Sequence, residues 1–531
     1  MKTGKLLLIV ACVGLIAAAT SSPVSAQRSD KHGGALIYSN ANNYQLTDPH
    51  RYRGSAGREF IAPMFSTLFM YNVNAEVVPD AATSMEVVSA KEFRVNLRDD
   101  VKFHNGTPLR ANDVVYSIKR ILDPKTGAQL RGQLTEIQDI KAVKNHAVLF
   151  TFKHTVSPEW FREMMAQTES SILSEAWMAG RTGELTEYMG SGPFMWESFV
   201  SGVKITEKRN PNYYRKDADG NRLPYLDRLE FVGYPDSARR VTALKAGDVD
   251  LDGFIPWELL EKFTKDPNFD VDIATEAFMD LTFNVKQPPF DNPKVRQAFA
   301  YAIDREKIAQ LAFYGFATPI YGGILGYQPW NWAYNPQSKG AFEYNPDKAK
   351  KLLAEAGYPN GFKASILTSA DDQMHIDTSQ VIVEEMKKVG VDIDIRLEEW
   401  GRRVAAGNKG DYGLAISGTG AKMLDPDWVS AYFHAGEGYY HRPAGWDFPE
   451  MDKLLDTARV TQDQNKRKEL YQKWDNMFVE ESPEVFLVYR ATGGVRQKWI
   501  HGFKYFPGGL NTASADSLEH TWIDKNSPRK K

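Results

Sequence analysis

Residues 415–433, AISGTGAKMLDPDWVSAYF, hold the side chains best spaced for chemistry. Gly418 and Gly420 flank Thr419, Lys422 follows, and Asp425 and Asp427 bracket a proline ahead of Trp428. Two carboxylates so close in sequence can act as general acid and base, shape a ligand clamp, or cap the next helix. Each role needs different surroundings, so the rest of the chain has to choose between them.

Other reactive patterns fail on spacing. There is no G-x-S-x-G elbow and no H-E-x-x-H zinc helix. Ser201 and Lys204 match S-x-x-K, and 125–127 read K-T-G. Their order is reversed relative to the penicillin-binding pattern, no S-D-N lies between them, and such short matches arise by chance. DADGN at 217–221 begins like a calcium loop, but Arg222 stands where glycine is required and Arg228 where the closing glutamate belongs. A hairpin turn is the better reading. The 10 histidines are scattered, none four residues from another. His104 in KFHNG therefore reads as structural, and the sequence implies no metal and no cofactor. SGTGAK at 417–422 lacks the spacing of a phosphate-cradling loop. A secreted hydrolase stays as the remote alternative.

The elements that must position these residues alternate between strand and helix, which predicts an α/β fold. A strand is expected in 33–42. EFRVNLRDDVKFHNG (92–106) alternates like a hairpin with turns at Asp99-Asp100 and Asn105-Gly106. A helix is expected over 111–122, with Val114, Val115, Ile118 and Leu122 on one face. Asn292-Pro293 and Asn345-Pro346 start two more helices, the second stopped by Gly357. Strands are expected over 391–400 and 411–417.

The chain opens like an export signal. Lys2 and Lys5 precede an apolar run over 6–19, and VSA at 24–26 predicts cleavage after Ala26. The run is short for a span of about 20 residues. Cys12, the only cysteine, fits a loose lipobox, but the apolar run continues past it, so a cleaved leader is expected rather than a lipid anchor. Such a mature chain has no thiolate metal site and no disulfide. It must rely on a sizeable core, spread over two or three domains. Net charge is -3, or -5 without Lys2 and Lys5, and no basic stripe suits nucleic acid. Aromatics cluster in polar loops, QPWNWAYNP (328–336) and GEGYYHRPAGW (436–446), which suits a lined cleft.

LRDDVKFHNGTPLRANDVVYSIKRILDP (97–124) resembles the signature of extracellular solute-binding proteins of the peptide/nickel ABC-importer family, family 5. The resemblance continues in order through YMGSGPFMWESF (188–199), RNPNYYRKDADGNRLPYLDRLEF (209–231), LKAGDVDLDG (244–253), 283–308, 344–362 and GWDFPEMDKLLDTA (445–458). It implies a two-lobed, type II-like periplasmic binding protein of three domains. Domain I would comprise 27–71, 196–289 and 505–531, domain II 72–195, and domain III 290–504. It implies a monomer whose lobes shut on a small solute by hinge motion and then dock on a membrane permease. It makes His104 a fold marker of domain II. Arg110 departs from the family's usual threonine before the A-x-D-V helix; arginine cannot accept from the helix N–H groups, although Asp113 still favours the dipole.

Peptide binders of the family commonly carry G-W-x-x-D-x-x-D-P, whose first aspartate holds the peptide ammonium. Here Thr419 replaces the tryptophan and Lys422 the aspartate. An ammonium would meet a like charge, so a carboxylate or phosphate partner is expected, as in an opine, a sugar phosphate or a modified peptide. The alternative is that Lys422 points away and a nearby acid holds an amine. Asp425 becomes the structural D-P residue that turns the chain into the helix of Trp428, Ala431 and Tyr432. The expected ligand contacts are Lys422, Thr419, Gly420 and Asp427 in this stretch; Trp400 and Arg403 just before it; Trp330, Tyr439, Tyr440 and Trp446 in the aromatic loops; and Asn40, Met189 and Ser191 elsewhere in the chain. The aromatic set keeps an oligosaccharide open as a second ligand class.

Overall fold

A computed structural model of the chain describes residues 30–41, 44–52, 55–181, 183–327, 332–420, 423–435, 442–504, 515–525 and 527–529. Among these residues, no helix is long and apolar enough to cross a membrane. Two sheets dominate, one of eleven strands and one of four. In chain order their strands are β1 Ala35–Asn40, β2 Ala82–Ser89, β3 Glu92–Leu97, β4 Ile137–Lys144, β5 Ala147–Phe152, β6 Phe194–Val200, β7 Lys204–Arg209, β8 Arg228–Gly233, β9 Leu251–Asp252, β10 Phe269–Phe283, β11 Ala317–Pro319, β12 Lys363–Ser369, β13 Asp392–Glu398, β14 Leu414–Thr419 and β15 Glu484–Gln497. Packed on them are α1 Ala111–Leu122, α2 Pro158–Met164, α3 Trp257–Thr264, α4 Pro293–Ala302, α5 Pro346–Glu355, α6 Gln373–Lys387, α7 Trp400–Lys409, α8 Pro449–Val460 and α9 Gln464–Glu481.

The large sheet runs β13-β12-β14-β10-β15-β9-β1-β8-β7-β6, with β11 on the side of β15. Its centre is the antiparallel pair β10 and β15, 15 and 14 residues long. Each half of that pair carries a different set of neighbours. β9 pairs Leu251 with Arg496 and Asp252 with Val495, at the C-terminal end of β15. β14 pairs Phe278 with Thr419 and Phe283 with Leu414, at the C-terminal half of β10. Two parallel strand groups, β8-β1-β9 and β13-β12-β14, therefore flank opposite halves of one ribbon. Following the registers, both groups point their C-terminal ends at the middle of the ribbon. There a bulge lies between Thr275 and Ala277, and Arg490 and Ala491 stand opposite. In α/β sheets ligands bind beyond the carboxyl ends of parallel strands, which makes this crossing the candidate site.

The small sheet, β2-β3-β5-β4, is antiparallel throughout. Its inner face buries Phe93, Phe150 and Phe152 against Phe161 of α2, with ring centroids 4.8–5.6 Å apart. The hairpin expected over 92–106 is not formed. β3 pairs with β2 and β5, because Phe93, Val95 and Leu97 need a sheet on both sides to be buried. The expected turn at Asn105-Gly106 is present, with the Gly106 N–H donating to Phe103 O at 2.8 Å.

Helix starts follow the sequence closely. Asn292 Oδ1 accepts from Lys294 N–H at 3.0 Å, and Asn345 Oδ1 from Lys348 N–H at 2.9 Å. At α1 the capping is one-sided. Arg110 contributes no acceptor, and Asp113 reaches back to accept the Arg110 N–H at 2.8 Å. The other Asp113 oxygen takes the Glu175 N–H at 3.0 Å. Val114 and Ile118 are buried as expected, joined by Ile121.

The turn 188–193 connects the small sheet back to β6 and lies against the backbone of 63–64. Gly192 N–H donates to Met64 O at 2.9 Å. His104 fastens it from the other side. Gly190 N–H donates to His104 Nδ1 at 3.2 Å, and Nε2 lies 3.2 Å from Gly192 O, so the ring is neutral with its proton on Nε2. Burial pushes this imidazole down to about 4, consistent with that tautomer. A Cβ at Gly190 would fall 2.0 Å from Met64 O and 2.9 Å from the Phe65 ring. Gly190→Ala is expected to cost about 2–4 kcal/mol, read as a lower denaturation midpoint.

Candidate ligand-binding site

Thr419 and Gly420 end β14 at the crossing. Thr419 Oγ1 lies 3.1 Å from Tyr432 Oη, which also donates to Gly420 O at 3.0 Å. Trp400 opens α7 beside them, its N–H donating to Asp371 Oδ2 at 2.7 Å, and its ring is 40% exposed. Arg403, one turn on, is buried with its guanidinium 5.8 Å from the Trp400 ring. Nη2 donates to Ser417 Oγ at 2.6 Å and to Ile416 O, which fixes the side chain at the end of β14.

Behind Arg403 lies an acid pair. Thr282 Oγ1 donates to Asp280 Oδ2 at 2.9 Å and is 3.5 Å from Glu484 Oε1. Burial lifts Asp280 to about 7, against the Thr282 hydrogen bond and the pull of Arg403. Burial and the neighbouring Asp280 raise Glu484 as well. An acid with a raised folded pKa stabilises the fold below its unfolded value, near 4, and loses that contribution as pH rises towards its folded pKa. This pair is expected to lower wild-type stability between about pH 4 and 7, by up to about 1.4 kcal/mol per pH unit for each acid. Asp280→Asn should flatten that fall in denaturation curves taken across the window.

On the other strand group, Asn40 ends β1. Its side chain is tied down by Glu59 and by Ala41 N–H, and Tyr44 binds the same Glu59 carboxylate. Met189 and Ser191 are buried in the turn held by His104, and Ser191 Oγ has no hydrogen-bond partner among the described residues. The structure thus sets Thr419, Gly420, Trp400 and Arg403 together at one strand end. Asn40 ends a strand of the opposite group, and Met189 and Ser191 sit in the turn fastened by His104. Lys422, Trp330, Tyr439 and Tyr440 lie outside the described residues.

Asp427 and Trp446 are drawn into packing. Trp446 stacks on Phe448, centroids 5.3 Å apart and planes 11° apart. Asp427 Oδ2 accepts from Trp160 Nε1 and Arg459 Nε, both at 2.9 Å, and Oδ1 accepts from Ser430 Oγ at 2.8 Å. Asp425 caps the turn below it, accepting Asp427 N–H at 3.0 Å, and pairs with both Arg467 Nη atoms at 2.8 Å. The segment is also stitched to α2: Asp425 N–H donates to Glu163 Oε2 at 2.7 Å, and Arg467 Nη1 donates to Ser157 Oγ at 3.1 Å. Two buried carboxylates matched one-to-one with arginines hold structure and leave neither acid available for proton transfer. Breaking one such pair strands its partner's charge. Asp427→Ala is expected to cost about 3–5 kcal/mol in equilibrium unfolding.

Three residues at the crossing were not anticipated from sequence. Trp257 opens α3 and donates from Nε1 to Ala491 O at 2.7 Å. Arg490 lies with its guanidinium 6.0 Å from the Trp257 ring. His375, in the first turn of α6, lies 6.4 Å from the Trp400 ring. Arginine inside the apolar run VFLVYRATGG was the readable signal for Arg490. As to metal, Asp516, Glu519 and His520 lie close enough to share an ion. Arg215 already supplies the cation there, 3.0 Å from Asp516 and 3.3 Å from Glu519.

Residues 76–440, more than half of the chain, match the family described as bacterial extracellular solute-binding proteins, family 5 Middle. The glutathione-binding protein GsiB of Escherichia coli (strain K12) is 26% identical over 495 residues, 91% of this chain and 94% of that one. Among solved structures, AgaA of A. tumefaciens R10, in complex with agropinic acid, is 32% identical with a TM-score of 0.83, covering 92% of this chain and 99% of that one. The periplasmic binding protein DppA of Helicobacter pylori, in complex with the peptide STSA, is 24% identical with a TM-score of 0.81, covering 93% and 99%, and shares the fold.

Proposed function

The chain belongs to the bacterial extracellular solute-binding proteins, family 5, and we propose that its own solute is an acidic opine-like or blocked peptide-like molecule held between the two strand groups. Solute capture for an ABC importer is the work of this family, and its members are binding proteins, not enzymes. The observation that carries the ligand class is the end of β14. Where peptide binders of the family place an amine-anchoring aspartate, this chain runs Thr419-Gly420 into Lys422, with buried Arg403 next to the strand end. Positive charge there favours an anion. The likeness to AgaA, solved with agropinic acid, supports the same class.

A sugar ligand is the second reading, supported by the exposed ring of Trp400. Trp446 lends it little, since one face of that ring is covered by Phe448. The remaining parts of the reading are a monomer exported to the periplasm, cut after Ala26, that delivers its solute to the permease without chemical change. Closure around a solute bridging the two groups would be the transport signal.

Calorimetric titration with agropinic acid, glutathione, and peptides bearing free or acetylated N-termini tests the ligand class. Acetylation is expected to change peptide affinity less than about threefold, because no acid awaits the ammonium. Binding that collapses a hundredfold on acetylation would overturn the assignment. Native mass spectrometry of the purified protein identifies any retained solute, and turnover of that solute would defeat the binding role.

A further inference from the structure

Arg490 is the anomaly of the crossing. It stands on β15 with small neighbours on both sides, Ala277 across on β10 and Ala317 on β11. Its Nε and Nη1 are buried, and neither has a hydrogen-bond partner among the described residues. Its guanidinium lies over the face of Trp257, 6.0 Å from the ring centroid. Other buried polar groups nearby in the fold are equally unanswered. His375 Nδ1 and Thr378 Oγ1 on one face of α6, and Thr368 Oγ1 at the end of β12, are each buried without a partner among the described residues.

Unmatched buried groups are normally rare, because each costs roughly 1–3 kcal/mol and more if charged. Some escape by losing their charge. Glu207 on β7 is buried with both oxygens unpartnered, and burial pushes its carboxyl well above the usual range, so it stays a neutral acid. A guanidinium has no such exit, since it keeps its charge in proteins. Several other arginines of the interior have an acceptor for at least part of the guanidinium. Arg467 and Arg459 face aspartates, Arg296 faces backbone carbonyls, and Arg305 donates to Phe486 O and Ala300 O. Arg490 alone among these lacks an acceptor, and it sits where both strand groups end.

We propose that Arg490 is the anchor of an anionic subsite, holding a carboxylate of the solute between Trp257 and the Trp400–Arg403–His375 group. The proposal rests on the solute-binding reading above and specifies which end of the molecule goes where. Three features fit. Arginine offers planar paired donors that match a carboxylate. Trp257 is locked by its bond to Ala491 O and supplies a flat wall beside the guanidinium. His375 stays uncharged: burial, then the Arg403 and Arg490 charges, hold it near 4 against the pull of Asp372. A neutral imidazole so placed adds a hydrogen bond without adding a third cation.

The test uses acetate as the probe and acetamide as its uncharged match, at constant ionic strength, followed by histidine imidazole NMR with His375 assigned through His375→Gln. Acetate is expected to shift the His375 resonances saturably in the full-length wild-type protein, and acetamide is not. Arg490→Gln should weaken the acetate response tenfold or more with a melting temperature near that of wild type, while Arg490→Lys keeps part of it. Equal responses to acetate and acetamide, or an unchanged acetate response in Arg490→Gln, would overturn the subsite. The two readings fail separately. Opines and peptides that do not bind, with acetate still seated on Arg490, sink the solute assignment. A solute that binds wild type and Arg490→Gln alike sinks the subsite and leaves solute capture standing.

Discussion

The pairing of Phe269–Phe283 with Glu484–Gln497 is the constraint on which the rest of the molecule depends. One ribbon lies between the two strand groups: β9 is hydrogen-bonded to β15 and β14 to β10, at different levels of the same pair. This fixes where the parallel strands can end. Asn40, Gly233 and Asp252 finish on one side of the crossing, and Ser369, Glu398 and Thr419 on the other. The bulge at Thr275–Ala277 interrupts regular pairing at that level. Bulges bend strands and re-aim side chains, and this one lies at the level where both strand groups end.

Charge is distributed in two distinct ways around that crossing. Away from it, ions are matched inside the packed interior: Asp425 with Arg467, Asp427 with Arg459, Asp252 with Arg240 at 2.9 Å. Such pairs are weak sources of net stability but strong enforcers of one arrangement, because any other arrangement leaves a bare charge. They set the path of the segment that leads out of β14. Glu163 on α2 extends the same matching, accepting from Asp425 N–H and from Tyr71 at 3.0 Å; burial, then the Asp425 charge, lifts it to about 8, so it is held there largely as a neutral acid. At the crossing itself, in contrast, Arg490 Nε and Nη1 are buried without a partner among the described residues. Matched ions build the frame away from it.

Much of this was readable before any coordinates. Asn292-Pro293 and Asn345-Pro346 announce helix starts because capping is local chemistry, decided within four residues. The strand ending at Thr419 and the structural role of Asp425 also follow from local signals, and the resemblance in 97–124 pointed to the fold. The misread hairpin at 92–106 shows the limit. Alternation says that Phe93, Val95 and Leu97 share a face, but not which strand lies beside them, and the true partner β5 is some 50 residues on. The packing of Asp427 was not legible for a similar reason: its partners Trp160 and Arg459 are 267 and 32 residues away. Arg490 escaped notice because a single arginine in an apolar strand is visible as an oddity only once the groups around it are known.

The central ribbon also governs the order in which the chain can become native. Thr282 meets Glu484 across 202 residues, and Trp257 meets Ala491 across 234. Closing loops of that size precedes any reward from the contacts they allow. The β8-β1-β9 group has no partner on the ribbon until β15 arrives, more than 230 residues after β9. The small sheet closes between residues 82 and 152 and can assemble early on its own contacts. A chain interrupted before residue 484 would hold that sheet but leave β10 paired on one side only, by β14 along its C-terminal half. Synthesis past β15 is thus a precondition for burying the core, and until then the chain presents an open strand edge on which aggregation begins.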